Sequence, residues 1–384
     1  VYGGCDMDKW RKVFYDDEGT KLNYKFPKKL GKDSEYYSAV LQFMDTLIKD
    51  LEDNRIEKAF IEIAVEYREL FKDLLANYYS GNIVLAYTMI EQLIKEYKSS
   101  GIIFSKLSKS YSFNYYVIEN RKWDEFLFYR ARVGDMSNEN KEDALKHTPF
   151  DKISKIGSYR FSIPGQPCLY LGSTSYDCWI EMGEPDDREF NAGCILLNKD
   201  YEIINLSTDI WILLGAMERL KEQVDKEMMF KSYLLSQVTS YCINEDNRNF
   251  KSEYVISQLI TLACKSNNID GISYISKRVS TNEFGHNVCM NLALFIPYEQ
   301  DVKYSQNMIS EMKIGIPINY AYFNKLKRAP LNLSIELLPY ELKQDAIAIG
   351  DFENQIPYRE THFYDYDRYL RQITIKKYGK GDSK

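Results

Sequence analysis

Through the first quarter of the chain, apolar residues recur at three- and four-residue steps, the period of a helix that buries one face. Val40, Met44, Leu47, Ile48 and Leu51 form one stripe, and Phe60, Ile63, Ala64, Tyr67, Leu70, Phe71 and Leu74 a second. A third, Ile83, Ala86, Ile90, Leu93 and Ile94, follows the Ser80-Gly81 break. The spacing predicts three helices within 35–98, each with a single apolar side that must pack on its neighbours or on a second domain. After "KSSG" (98–101) the pattern changes. "EFLFYRARV" alternates, so that Phe126, Phe128, Arg130 and Arg132 share one face of a strand and Leu127, Tyr129, Ala131 and Val133 the other. Further strands are expected at "QPCLYLGS" after a Pro164-Gly165 turn, at "CILLN" and "YEIINL" as a pair, and at "DGISYIS" and "NVCMNLALFI". Helices are expected over about 212–243 and 253–267. The fold class read from this order is α+β. A helical N-terminal domain (1–118) precedes a second domain (119–300) and a C-terminal extension (301–384) whose aromatic runs suit a docked addition or a contact between copies.

Composition narrows the function classes. The 384 residues are 45% hydrophobic, enough for a sizeable core and two domains. A net charge of −6 gives no global attraction to nucleic acid or to an anionic membrane. The basic C-terminus (Arg368, Arg371, Lys376, Lys377, Lys380, Lys384) reads as a solvated tail. Seven cysteines, an odd number with no C-x-x-C spacing, indicate reduced thiols in a cytoplasmic protein. No apolar run approaches the ~20 residues of a membrane span. The chain starts with Val, so an upstream N-terminus is expected. The three histidines are far apart and lack metal-ligand spacing. There is no G-x-G-x-x-G after a strand, no P-loop and no G-x-S-x-G elbow.

What remains is a set of polar residues within apolar elements. Arg130 and Arg132 lie two apart on one strand and can face an anion together or simply face water. Arg160 precedes the Pro164-Gly165 turn, Tyr170 sits in the strand after it, and Gly172 permits close approach to the backbone. Glu181 follows a stretch in which Ser or Thr can cap a short helix, and its neighbours Trp179, Ile180 and Met182 are apolar. Ser276 ends the strand that begins at Asp270-Gly271.

Taken in order, "FYRAR", "YRFSIPGQPCLYLGSTSYDCWIE", "YVISQLITLACKSNNIDGISYIS" and "NLALF" resemble the RES domain, over roughly 125–297. The resemblance implies an ADP-ribosyltransferase-like fold with a central mixed β-sheet. It places the family arginine, glutamate and serine at Arg130, Glu181 and Ser276, with Arg160 and Tyr170 at two further pocket positions. Arg132, on the same strand face, is the rival of Arg130. Ser162 stands where the family has asparagine, and Tyr159 where it has glycine. The N-terminal helices resemble the region found in longer RES proteins, some of it HEPN-like. HEPN ribonucleases need a histidine, and residues 1–146 contain none, so a ribonuclease is not expected.

The implied activity is NAD consumption by a toxin: cleavage of the nicotinamide–ribose bond by water or phosphate, with NAD as substrate and no cofactor or metal. Glu181 would stabilise the cation that develops on the ribose. Arg130, Arg160 and Arg132 would bind the pyrophosphate, and Tyr170 would stack on a ring. Ser276 would bond a ribose or phosphate oxygen or position the nucleophile. ADP-ribosyl transfer to a protein or nucleic acid, and a non-catalytic nucleotide sensor, are the alternatives. An antitoxin or regulatory partner, a second copy of the chain, and a trigger such as phage infection fit the same resemblance.

Overall fold

Each amphipathic stripe of the N-terminal quarter folds as the expected helix, and the bounds fall where the apolar period stops. The structure, a computed structural model, describes residues 4–31, 35–98, 101, 103–108, 126–137, 139–218, 225–243, 249–279, 290–326, 348–349 and 356–379. In chain order the helices are α1 (Gly4–Phe14), α2 (Tyr36–Asp53), α3 (Lys58–Tyr79), α4 (Ile83–Tyr97), α5 (Ser175–Glu181), α6 (Ile210–Glu218), α7 (Lys226–Val238), α8 (Val255–Ser266), α9 (Gln306–Ser310), α10 (Tyr320–Leu326) and α11 (His362–Gly379). The main strands are β1 (Lys28–Leu30), β2 (Phe104–Lys106), β3 (Phe126–Val133), β4 (Cys168–Gly172), β5 (Phe190–Leu197), β6 (Glu202–Leu206), β7 (Tyr241–Ile243), β8 (Gly271–Ile275), β9 (Met290–Phe295), β10 (Met312–Ile314) and β11 (Ile318–Asn319). Two units are assembled from non-consecutive segments. The first comprises Val1–Ser105, Tyr159–Ile163 and Glu202–Lys277, and the second Lys106–Ser158, Pro164–Tyr201 and Arg278–Lys384. The expected boundary at residue 118 lies outside the described residues.

In the first unit α2 buries Val40, Phe43, Met44, Leu47 and Leu51 against α3, which in turn packs on α4. The helices also pack on α7 and α8, so the N-terminal stripes find their cover in later segments of the chain. Tyr36 donates its hydroxyl to Val238 O (2.7 Å), at the end of α7. The helix expected to run to residue 243 stops there: Thr239 N–H closes on Leu235 O, and Tyr241–Ile243 leaves as β7. Its aromatic and β-branched residues pair in parallel with β1 instead. Strands β6 and β8 are also parallel, Ile203 opposite Gly271 through Leu206 opposite Tyr274. Asn205 secures their polar positions, accepting from Ser207 N–H (3.0 Å) and Ser273 Oγ (3.1 Å).

The second unit is built on antiparallel strands. β3 pairs with β5 along its whole length, from Phe126–Leu197 to Val133–Phe190. The other edge of β5 takes β10 and β11. β4 pairs with β9, Cys168 opposite Phe295 through Gly172 opposite Asn291. The expected strands "CILLN" and "YEIINL" both exist, but each has its own partners, β3 and β10 for the first and β8 for the second. Strand β3 is not half exposed, since residues 126–131 are all buried. One of its faces, with Leu127, Tyr129 and Ala131, packs beneath Cys178 of α5, Tyr320 and Phe323 of α10, and Tyr366 and Leu370 of α11. The C-terminal aromatics therefore dock on this sheet. The stretch read as a basic tail is α11 through Gly379, with Arg368 and Arg371 half-buried. Among the described residues no helix is long and apolar enough to cross a membrane.

Gly193 of β5 is the register partner of Arg130 and has no room for a side chain. A Cβ there would lie 2.9 Å from the backbone oxygen of Ile316 and closer still to Leu145. Gly193→Ala is therefore expected to destabilise the fold by about 1–3 kcal/mol, the range for overpacking, read as a lower urea midpoint. An unchanged midpoint would mean that the 145 and 316 segments yield freely.

Candidate active site

Helix α5 begins where two of its free N–H groups find acceptors. Thr174, the N-cap, accepts from Asp177 N–H (3.0 Å) through its side chain. Ser175 N–H donates to Asp367 Oδ1 of α11 (2.9 Å), whose Oδ2 accepts from the Tyr358 hydroxyl (2.7 Å). Burial pushes the Asp367 carboxyl up to about 7 against the pull of these bonds. The helix then lies directly on β4. A Cβ on Gly172 would come within 2.9 Å of Cys178 Sγ and 3.0 Å of Asp177 Oδ2, so only glycine allows the approach. Glu181 arrives one turn after Asp177, on the same side of the helix. It is half-buried and accepts from the Asn291 side-chain amide (3.1 Å). Asn291 is the partner of Gly172 on β9, so one register pair sets both the helix and the carboxylate.

Strands β3 and β4 share one register pair, Tyr129 with Gly172. Beyond it, among the described residues, the edge of β3 from Arg130 onward has no ladder partner on the β4 side. The two arginines of this stretch differ. Arg132 is half-buried and donates to two backbone carbonyls, Ala131 O (3.2 Å) and Lys146 O (3.3 Å). Arg130 is only 9% exposed, and its Nε and Nη1 have no hydrogen-bond partner among the described residues. Burial first, and then the like charge of Arg132, pull the Arg130 guanidinium down from its ordinary value. Because an arginine stays protonated in proteins, that shift registers an unsatisfied buried charge. The segment over this face is pinned by His147, whose Nδ1–H donates to Thr148 O (2.7 Å) and whose Nε2 accepts from Ser305 N–H (2.9 Å). The bond accepted by Nε2 requires the neutral ring, and burial lowers its pKa although the bond to Thr148 O pulls the other way.

Two of the expected residues lie in the first unit. Arg160 is buried, donates to Ile275 O (3.0 Å), and lies over the rings of Phe161 (4.9 Å) and Tyr274 (5.1 Å). Ser276 follows Ile275 at the carboxyl end of β8 and is fully buried. The structure thus brings Arg160 to the backbone beside Ser276 within one unit. Within the other it places Arg130, Arg132, Tyr170 and Glu181 on β3, β4 and α5, with Tyr170 half-buried two residues before Gly172. Sequence reasoning missed Asp177 and Asn291. A buried asparagine in "NLALF" and an aspartate four residues before Glu181 were the available signals. The described cysteines Cys168, Cys178, Cys194, Cys242 and Cys264 are free thiols. Among the described residues no three His, Cys, Asp or Glu side chains gather as a metal site.

No family model matches the chain. A protein of Bacillus subtilis (strain 168) named "Putative toxin YopC" is similar at 26% identity over 345 residues, covering 87% of this chain and 70% of its own length. Among solved structures, a chain of the crystal structure of the M. tuberculosis MbcT–MbcA toxin–antitoxin complex matches 54% of this chain and 91% of its own, at 14% identity and a TM-score of 0.29.

The contrast between the two arginines is measurable as stability. Arg130→Met removes a buried charge and is expected to raise the urea-derived stability by on the order of 1–4 kcal/mol, as when buried charges give way to packed apolar groups. Arg132→Met loses its carbonyl bonds and is expected to cost about 1 kcal/mol. A destabilised Arg130→Met would mean that its charge is compensated within the fold.

Proposed function

We propose that the chain is an NAD-consuming toxin that breaks the nicotinamide–ribose bond, with Arg130 and Glu181 as its principal catalytic groups. The observation that carries this reading is the buried Arg130 guanidinium, whose Nε and Nη1 lack a partner among the described residues where the edge of β3 is open. Such a group is stabilised by an anion with paired oxygens, and a pyrophosphate supplies them. Arg132, already committed to backbone carbonyls, frames the strand and leaves the phosphate role to Arg130. Glu181, half-buried and oriented by Asn291, is the carboxylate suited to a developing ribose cation. The RES resemblance selects NAD among nucleotides, and similarity to a protein named as a toxin favours growth arrest as the outcome.

In the reaction the C1′–N bond breaks, its electron pair goes to the nicotinamide nitrogen, and nicotinamide leaves neutral. Glu181 faces the ribose cation until water or phosphate bonds to C1′; with water, the released proton passes to solvent or to Glu181. Tyr170 stacks on a ring of the dinucleotide. Arg160 and Ser276 enter on the resemblance and on their adjacency in their own unit, as groups for phosphate and ribose oxygens. An antitoxin that restrains the activity belongs to the same reading.

The test is to incubate the full chain with NAD and follow nicotinamide release by proton NMR, alongside Glu181→Gln. Release by the wild type, reduced about 100- to 1,000-fold in the variant, is expected for loss of one charge-stabilising group. The phosphorus spectrum separates free ADP-ribose from its 1-phosphate, and labelled macromolecule in a lysate would indicate transfer instead. NAD binding with no release from the wild type would sink the enzyme reading and leave a sensor.

A further inference from the structure

The reading of Glu181 leaves one group at the site unused. Asp177 is completely buried, and neither carboxyl oxygen has a hydrogen-bond partner among the described residues. Its capping bond to Thr174 uses its backbone N–H and explains its place in the helix, but leaves the carboxyl unaccounted for. Two donors lie nearby, the Ser173 N–H and the Asn291 amide, and both pull the Asp177 carboxyl down against burial, though each also serves another acceptor. Ser173 N–H donates to Met290 O (2.8 Å) and the Asn291 amide to Glu181 Oε1 (3.1 Å). Oδ2 lies 3.0 Å from where a Cβ on Gly172 would stand.

A carboxylate in that setting would be a charge shut away from water, which is costly. The charged and titratable groups around it make this worse. Glu181 and Cys178 share its helix, and Asp367 of α11 acts on the same Cys178 thiol. Arg130 of β3, a cation with Arg132 beside it, works the other way and is felt at Cys178. Burial, and after it the Glu181 charge, push Asp177 well above the usual carboxylate range.

We propose that Asp177 is a positioning residue for Glu181: an uncharged carboxylic acid packed beside Gly172 one turn before Glu181, which leaves the pair's single negative charge on Glu181. This rests on the reading of Glu181 as the group that stabilises the ribose cation. Two carboxyls one turn apart do not both ionise cheaply, and the environment decides which keeps the proton. Here the completely buried oxygens belong to Asp177, where the Ser173 and Asn291 donors do not offset burial, and the half-buried ones, which accept from the Asn291 amide at 3.1 Å, belong to Glu181. Because the fold favours the acid form of Asp177, the stability it contributes is full below the ordinary aspartate value of about 3.9. It is lost as pH rises through the raised folded-state value. Asparagine keeps the shape and cannot ionise.

The experiment compares the full-length wild type, Asp177→Asn, Asp177→Ala and Glu181→Gln. Asp177→Asn is expected to keep NAD cleavage at neutral pH within about threefold, far from the 100- to 1,000-fold loss of a charge-stabilising group. Its urea midpoint should exceed that of the wild type by a margin that widens as pH rises. Asp177→Ala opens a void beside Glu181 and is expected to lower kcat about 10- to 100-fold with KM little changed, as misplacement of a transition-state group does. In carbon-13 spectra of aspartate-labelled protein, the Asp177 carboxyl should not move as pH passes through the ordinary carboxylate range. A folded Asp177→Asn variant as inactive as Glu181→Gln, or an Asp177 carboxyl that titrates normally, would overturn the proposal. If the wild type cleaves no NAD, the reading of the reaction falls, while the carboxyl spectrum still decides whether Asp177 is the neutral member.

Discussion

The candidate site depends on one close approach, that of helix α5 to the backbone of Gly172. With no Cβ in the way, Cys178 and Asp177 rest on the strand itself. That contact brings Glu181 within reach of Asn291, the residue opposite Gly172 on β9. The same glycine forms, among the described residues, the register pair that joins β4 to β3, through Tyr129. Any side chain at 172 would push the helix off the strand, separate Glu181 from its amide and disturb the junction from which the open edge of β3 begins. Position 172 thus controls the carboxylate and the arginine together, without touching a substrate.

Around this junction the fold tolerates charges that a purely structural core would avoid. Arg130 is buried with unsatisfied donors, and Asp177 is buried with unsatisfied acceptors. They do not neutralise each other by an ion pair, although both lie in the unit that holds Glu181. Each costs stability, and the compensation comes from the packing around them. Tyr320, Phe323, Tyr366 and Leu370 close one face of the sheet, and α11 anchors the start of α5 through Asp367. Apolar cover that excludes water also raises the strength of any electrostatic interaction made inside it. The C-terminal helices are in this sense part of the site's physics, though none of their residues needs to meet a ligand.

Much of this was legible from the chain. The stripes of α2, α3 and α4 followed the helical period, because each helix buries one side whatever covers it. The order of strands carrying Arg130, Tyr170 and Ser276 was readable for a similar local reason. What could not be read was which neighbours arrive from afar. The Arg130 face looked wettable, because nothing in "FYRARV" announces that the 145–147 segment lies over it. Tyr241–Ile243 continued a helical pattern until its pairing with Lys28–Leu30 overrode it. The basic stretch 368–377 looked like a tail, because the apolar spacing of Phe363, Tyr366 and Leu370 gains meaning only against the sheet they cover.

Asp177 and Asn291 were the hardest to foresee, and the reason is instructive. An aspartate at the third position of a capped helix has a sufficient local explanation, since such residues commonly bond free N–H groups of the first turn. Here that explanation falls short at the side chain: the Ser173 N–H beside the Asp177 carboxyl also bonds Met290 O, and burial outweighs what it and the Asn291 amide supply. An asparagine in an apolar strand likewise passes as an incidental polar residue until its amide is followed to Glu181. In both cases a local rule accounts for the residue type but not for where its polar atoms end. Following every buried donor and acceptor to its partner separates Arg132 from Arg130, and it separates Glu181 from Asp177 in the same way. Members of each pair share a strand face or a helix side, and no periodicity distinguishes them. One of each pair is satisfied by the fold, and the other keeps buried polar atoms that the described residues leave under-satisfied.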